Sequence, residues 1–121
     1  MESNDSTATI QTMINKVLQF RTDRNWNPDS RSLAISISLE ASELLEHFQW
    51  SNEPKQINKQ EIADELADVL IYTLQFAVGE GIDLSTAITD KLARQALKYP
   101  AGLTSDEYYK AKAKSRAAVS A

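Results

Sequence analysis

Apolar residues recur at helical spacing over most of this chain. A first helix is predicted over about residues 7–24, and the same periodicity predicts helices over about 31–50, 58–78 and 83–97. A short fifth helix should begin near Thr104. The apolar face of the first helix follows i, i+3, i+4 spacing and consists of Ile10, Met13, Ile14, Val17 and Phe20.

Capping residues, glycine and proline indicate where these helices begin and end. Asp29 or Ser30 can cap the second helix, Asn58 with Glu61 resembles a capping box for the third, and Gly79 stops that helix. We therefore expect an all-α fold, a four-to-five-helix bundle with short loops and a core completed by oligomerisation. One domain should span residues 1–110, and residues 111–121 should form a frayed or disordered tail.

Composition narrows the possible functions. The net charge of −4 argues against broad attraction to nucleic acid or an anionic membrane. Cysteine is absent from the sequence, which excludes disulfides and thiolate chemistry. Apolar runs are too short to span a bilayer, and the N-terminal segment lacks a signal-peptide pattern, so a cytoplasmic protein is expected.

Two pairs of carboxylates carry the clearest chemical signal. Glu40 and Glu43 are three residues apart on the second helix, and Glu65 and Asp68 are three apart on the third. Residues at this spacing lie side by side on a helix, and each pair borders the predicted core face. Two facing helices would therefore bring four negative charges together, and a hard divalent cation such as Mg²⁺ would neutralise them.

Other interpretations of these acids must be weighed. A single such pair belongs more often to a solvated helix face. A di-iron bundle would need paired Glu-x-x-His motifs, whereas His47 follows Glu43 by four residues and is the single histidine of the chain. An oxygen-only site for Mg²⁺ or Mn²⁺ fits better, and His47 is then expected to be a surface or interface residue.

The segments LEASELLEHFQW (39–50), EIADELADVLIY (61–72) and KLARQALKYP (91–100) resemble the MazG-like all-α nucleoside triphosphate pyrophosphatases. The family pattern is an ExxE pair, a spacer and an ExxD pair, and the upstream RNW (24–26) is also similar. The resemblance covers about residues 15–100 and is nearest to short single-domain members similar to dCTP pyrophosphatase.

This resemblance implies hydrolysis of a (deoxy)nucleoside triphosphate to the monophosphate and pyrophosphate, with dCTP as the leading substrate and nucleotide-pool clean-up as the role. It also implies a homodimer or homotetramer, and Mg²⁺, or Mn²⁺ as a substitute, held by the catalytic acids Glu40, Glu43, Glu65 and Asp68. The substrate-binding residues that it implies are Trp26, Trp50, Tyr72, Lys91, Gln95 and Lys98.

Some positions depart from the family pattern. Gln95 stands where Asn is usual, Val17 replaces a histidine common in dCTP-preferring relatives, and the loop after Trp26 is shorter. These differences leave dUTP or modified nucleotides open as substrates. A non-catalytic helical module that binds a basic partner through its acidic edge is the alternative of a different class.

Overall fold

The computed structural model describes residues 3–50 and 59–120, and in these ranges it contains five α-helices and no strand. The all-α prediction is therefore confirmed. The chain divides into two compact units, Met1–Asp83 and Leu84–Ala121. The helices are α1 (Ile10–Thr22), α2 (Ser30–Glu46), α3 (Lys59–Gly79), α4 (Leu84–Lys98) and α5 (Ser105–Ser120).

Short polar side chains cap the first two helices. Thr9 Oγ1 accepts a hydrogen bond from the Thr12 backbone N–H at 3.0 Å, and Asp29 Oδ1 accepts one from the Ser32 N–H at 2.7 Å. These oxygens satisfy amides that have no partner inside the first helical turn. Of the two predicted caps for α2, Asp29 is therefore the one used.

Helix α1 ends in a Schellman turn built on Asn25, which has a positive φ of 55°. The N–H of Trp26 donates to the Arg21 carbonyl at 3.0 Å, and the N–H of Asn25 donates to the Thr22 carbonyl at 3.1 Å. Asparagine adopts this left-handed conformation more readily than most residues. The turn fixes the direction in which the chain leaves α1 and therefore the position of Trp26.

Helices α2 and α3 pack against each other in antiparallel orientation. Ser30, at the start of α2, lies beside Gly79, at the end of α3, where an added Cβ would be 3.7 Å from Ser30 Oγ. At the other end, His47 follows α2 and contacts Glu65 in the N-terminal half of α3. Leu33 and Ala77 are the buried hydrophobic side chains within the described residues.

The first unit differs from the sequence prediction at one helix end. Helix α2 stops at Glu46, and turns follow to residue 50, so the prediction of a helix reaching Trp50 is wrong. The predicted start of α3 at Asn58 lies outside the described residues. No helix in the described ranges is long and apolar enough to cross a membrane.

The second unit contains α4 and α5. The Thr104 side chain accepts from the Glu107 N–H at 3.2 Å, as predicted for the start of α5. The rings of Tyr99 and Tyr108 contact each other at a tilt of 45°, with 5.0 Å between their centroids. Helix α5 is 16 residues long, so the prediction of a short helix differs from the structure, and the fraying of residues 111–121 stays a prediction. The segment is rich in alanine and lysine, which favour helix strongly. The assignment of residues 1–110 to one domain stays a prediction.

Candidate functional site: an acidic cluster beside an aromatic pocket

The structure brings the four predicted acids together between α2 and α3. Partial burial raises the pKa of the Glu40 carboxyl, helped by the hydrogen bond that its protonated form donates to Glu43. The negative charges of Glu43, Asp68 and Glu65 act in the same direction. Glu40 therefore interacts electrostatically with all three other acids, which the antiparallel packing of the helices places near it.

Two oxygens of this cluster lack the partners that buried polar atoms normally have. Glu40 Oε2 and Glu65 Oε2 are inaccessible to solvent and accept no hydrogen bond from any described residue. Buried carboxylate oxygens without donors are costly, and a cation is one way to satisfy them. As the side chains stand, however, no group of three or more acidic or imidazole residues in the described ranges is arranged to hold a metal ion.

His47 belongs to this cluster, which the sequence did not indicate. Its Nε2 lies 2.5 Å from Glu65 Oε2, although the imidazole is not aligned to donate a hydrogen bond. The His47 side chain is 18% exposed. The prediction of a surface or interface residue therefore missed an intramolecular contact. The available signal was the i,i+4 spacing from Glu43, which puts both residues on one face.

A pocket of about 800 Å³ opens next to the cluster, within the first unit. Asp68 belongs to both, and Tyr72 lies one turn further along α3 on the same wall. The volume is within the range of small-molecule sites. The pocket is lined by Lys16, Val17, Phe20, Arg21, Asn25, Trp26, Asn27, Pro28, Asp68, Ile71, Tyr72 and Gln75.

Trp26 reaches this pocket because of the turn that ends α1. Its ring meets Phe20 edge to face, with 5.9 Å between the ring centroids, and 58% of the residue remains exposed. An exposed indole at a pocket wall can stack on a planar ligand. The structure thus places the predicted residues Trp26, Tyr72 and Asp68 around one cavity.

The remaining predicted substrate-binding residues follow the end of α2 or belong to α4 of the second unit. Trp50 follows the end of α2, is 86% exposed and does not line the pocket beside the acids. Lys91, Gln95 and Lys98 are exposed on α4 in the second unit, where Lys98 Nζ donates to Ser115 Oγ at 2.8 Å. Their roles stay predictions.

The polar pair Arg21 and Gln75 was not among the residues predicted from the sequence. Both line the pocket, and Arg21 Nη1 donates to Gln75 Oε1 at a long 3.5 Å. The two residues are 54 positions apart, so only the packing of α1 on α3 joins them. The sequence did hold a signal, because Arg21 follows Val17 by four residues and Gln75 follows Ile71 by four, and Val17 and Ile71 also line the pocket.

Comparison with solved structures identifies a similar fold. A pyrophosphatase from Archaeoglobus fulgidus superposes with a TM-score of 0.70 at 30% sequence identity, over 83% of this chain and 98% of the archaeal chain. Both the fold and the sequence of this chain are therefore similar to those of a pyrophosphatase.

Curated proteins of known name are also similar. Human dCTP pyrophosphatase 1 is 33% identical over 94 residues, which are 70% of this chain and 55% of the human protein. The rat protein of the same name is 30% identical over 97 residues, 71% of this chain and 56% of its own length. This chain thus spans about half the length of these relatives.

The family assignment rests on the segment that carries the acid pairs. The model of the MazG-like family matches residues 35–112, which include Glu40, Glu43, Glu65 and Asp68. The match covers more than half of the chain and agrees with the fold and with the resemblance of the motifs. This chain belongs to the MazG-like family.

Proposed function

We propose that this protein is a nucleoside triphosphate pyrophosphohydrolase, which converts a (deoxy)nucleoside triphosphate to the monophosphate and pyrophosphate. The observation that carries the proposal is the shared position of Asp68, which belongs to the acidic cluster and also lines the aromatic pocket. A nucleoside in the pocket would have its phosphates next to the acids. The names of the relatives support the same chemistry.

We also propose that Glu40, Glu43, Glu65 and Asp68 hold Mg²⁺, with Mn²⁺ as a substitute. Four carboxylates form the all-oxygen donor set that hard divalent cations prefer, and the two unpartnered oxygens of Glu40 and Glu65 fit this use. Small rotations of these side chains would be needed, because they do not yet form a coordinating group. A bound cation would neutralise phosphate oxygens and the charge that develops on them during hydrolysis.

The side chains of this chain then have distinct tasks. Trp26 would stack on the base, and the Tyr72 hydroxyl, one turn from Asp68, would contact the sugar or a phosphate. One glutamate of the cluster would accept a proton from the water that adds to the α-phosphorus. The bond from the α-phosphorus to the oxygen that bridges it to the β-phosphorus would break, and pyrophosphate would leave. Trp50 would close the base site, and Lys91, Gln95 and Lys98 would bind phosphate oxygens.

The substrate proposed first is dCTP, with dUTP and modified nucleotides as rivals, and the role is clean-up of the nucleotide pool in the cytoplasm. A homodimer or homotetramer is proposed as the active form. Large apolar side chains of the first unit support association, since Leu39, Leu45 and Leu70 are each more than half exposed. Association would cover apolar surface that a monomer leaves in water.

A product assay tests this function. The full chain is incubated with each common dNTP and NTP, with EDTA, Mg²⁺ or Mn²⁺, and the products are identified by ion-exchange chromatography and ³¹P NMR. We expect monophosphate and pyrophosphate to form only when Mg²⁺ or Mn²⁺ is present, and no turnover in EDTA. Release of diphosphate and phosphate, or no turnover of any nucleotide, would reject the proposal, and the second result would favour a binding module with an acidic edge.

A further inference from the structure

Gln75 is the buried polar side chain of the described residues, with 7% of its surface exposed. Its Oε1 accepts from Arg21 Nη1 at 3.5 Å, and its Nε2 donates to the Ile71 carbonyl at 3.3 Å. Burying an amide is costly unless it is hydrogen-bonded, and here each end of the amide has a partner. Gln75 is thus held in place at the wall of the pocket and in turn holds the Arg21 side chain.

The surroundings of this pair are largely apolar. Val17, Phe20, Trp26 and Ile71 line the same pocket, and apolar walls with a few placed polar groups are typical of specific ligand sites. Within this pair, the Arg21 guanidinium keeps the N–H groups that it does not donate to Gln75, and the Gln75 amide nitrogen keeps a single further N–H. Arg21 is therefore the partner that can donate two parallel hydrogen bonds to a ligand. A guanidinium presents donors in a planar fork and has no acceptor.

The position of Gln75 along α3 indicates that the pair meets the base rather than the phosphates. Gln75 follows Asp68 by seven residues, which is about 10 Å along a helix. Tyr72 lies between them, one turn from Asp68. A nucleotide with its phosphates at Asp68 would therefore have its base near Arg21.

We propose that Arg21, positioned by Gln75, selects the base by donating to two adjacent acceptors on its edge. Cytosine offers O2 and N3, and guanine offers O6 and N7. Uracil and thymine place a donor N–H between their carbonyl groups. In adenine the donor amine lies beside N1 and N7, and N3 has no second acceptor beside it on the same edge. Cytosine and guanine nucleotides are therefore the preferred class. This inference rests on the proposed function, which puts the phosphates of the nucleotide at Asp68.

Steady-state hydrolysis of dCTP, dGTP, dATP, dTTP and 7-deaza-dGTP tests the inference. For the wild type we expect kcat/KM for dCTP, dGTP or both to exceed that for dATP and dTTP by about 10-fold or more. If guanine is read, 7-deaza-dGTP should lose that advantage, because it lacks the N7 acceptor. If dCTP alone is favoured, cytosine is the base that is read.

Variants assign this preference to the pair. Arg21→Met should reduce the preference to within about 3-fold, mainly by raising KM for the favoured base, since kcat depends on the acids. Arg21→Lys should recover little of it, because an ammonium cannot donate two parallel hydrogen bonds. Gln75→Met should have an intermediate effect. Arg24→Lys is the matched control, since Arg24 covers the Phe20 ring at 3.5 Å and does not line the pocket.

Two results would overturn the inference: equal use of all bases by the wild type, or an Arg21→Met variant that keeps the wild-type ratio of kcat/KM between bases. An equal loss for every nucleotide would assign Arg21 to phosphate binding or folding instead. Binding of dCMP, dGMP, dAMP and dTMP, measured by saturation-transfer NMR, separates this failure from that of the proposed function. Selective binding that depends on Arg21, without hydrolysis, would reject the function and retain the base selection.

Discussion

His47 Nε2 lies 2.5 Å from Glu65 Oε2, and this contact joins the end of α2 to the N-terminal half of α3. Both side chains are about four-fifths buried. The imidazole therefore contacts an acid that we propose as a metal ligand, at a point where the carboxylate oxygen accepts no hydrogen bond from the described residues. His47 is thus a polar neighbour of the cluster whose contribution to stability can be measured with and without a cation.

Replacing His47 should show how much its contact with Glu65 contributes to stability when no cation is bound. We expect His47→Leu to lower the free energy of unfolding by about 1 kcal/mol in EDTA, because Glu65 Oε2 then loses the polar atom that lies 2.5 Å from it. Saturating Mg²⁺ should reduce the difference, because a bound cation would satisfy the same oxygen. Urea denaturation with and without Mg²⁺ measures both values. A loss of equal size under the two conditions would contradict this interpretation and indicate a packing role.

Neutralising one acid at a time should separate activity from folding. We expect Glu43→Gln and Asp68→Asn to lower kcat/KM by at least about 100-fold while circular dichroism shows a folded protein, because each removes a charged oxygen ligand. Asp64→Asn is the matched control, since Asp64 is exposed on α3 and accepts from Gln60 Nε2 at 2.8 Å. Wild-type activity in either test variant would remove that residue from the proposed site.

The raised pKa of Glu40 predicts how stability depends on pH in the absence of metal. The folded protein binds this proton more readily than the unfolded chain, whose glutamates have pKa values of roughly 4.3. Stability should therefore rise as pH falls from neutral towards that value, and this contribution should be absent from Glu40→Gln. Denaturation in EDTA between about pH 7 and pH 5 measures the slope. Identical slopes for both proteins would contradict the prediction.

The contribution of Asp29 to folding stability should depend on pH in the opposite direction from that of Glu40, and at lower pH. The backbone N–H of Ser32, with its side chain, holds the pKa of Asp29 below its ordinary value. Its contribution is therefore present above that ordinary value and is lost as pH falls through the lower, folded pKa. The Glu40 measurement is made above this range, so the two effects can be distinguished.

The turn at Asn25 gives a test of how Trp26 is positioned. Asn25→Val should destabilise the protein by about 1–2 kcal/mol and raise KM, because a β-branched residue does not tolerate a positive φ and the turn that leads to Trp26 would be lost. Asn25→Gly is the control, since glycine adopts this conformation freely. Thermal unfolding and nucleotide KM values check the pair. Equal behaviour of the two variants would show that the turn does not position the indole.

Local sequence signals predicted most of the fold. The helical periodicity, the cap at Asp29 and the stop at Gly79 depend on residues within a few positions of one another, so they can be read without tertiary information. The pairing of Glu40 and Glu43 with Glu65 and Asp68 was also accessible, because a short connection favours antiparallel packing of neighbouring helices.

Predictions that extended a local pattern too far were wrong. The sequence predicted a helix continuing to Trp50, whereas α2 ends at Glu46, and it predicted a short fifth helix, whereas α5 has 16 residues. A helix end depends on where the chain must turn and on the propensity of the whole segment, and neither is set by an individual residue.

The sequence by itself determined the helices of the described residues, the caps at Asp29 and Thr104 and the two acid pairs, because each of these depends on spacing along one helix. Tertiary structure alone decided that His47 meets Glu65 and that Arg21 meets Gln75 at the wall of a pocket. Such contacts join residues on different helices, and they depend on the rotation and offset of the helices as they pack. A periodic pattern fixes the face of a helix, but the partner that faces it is selected only when the apolar surfaces come together.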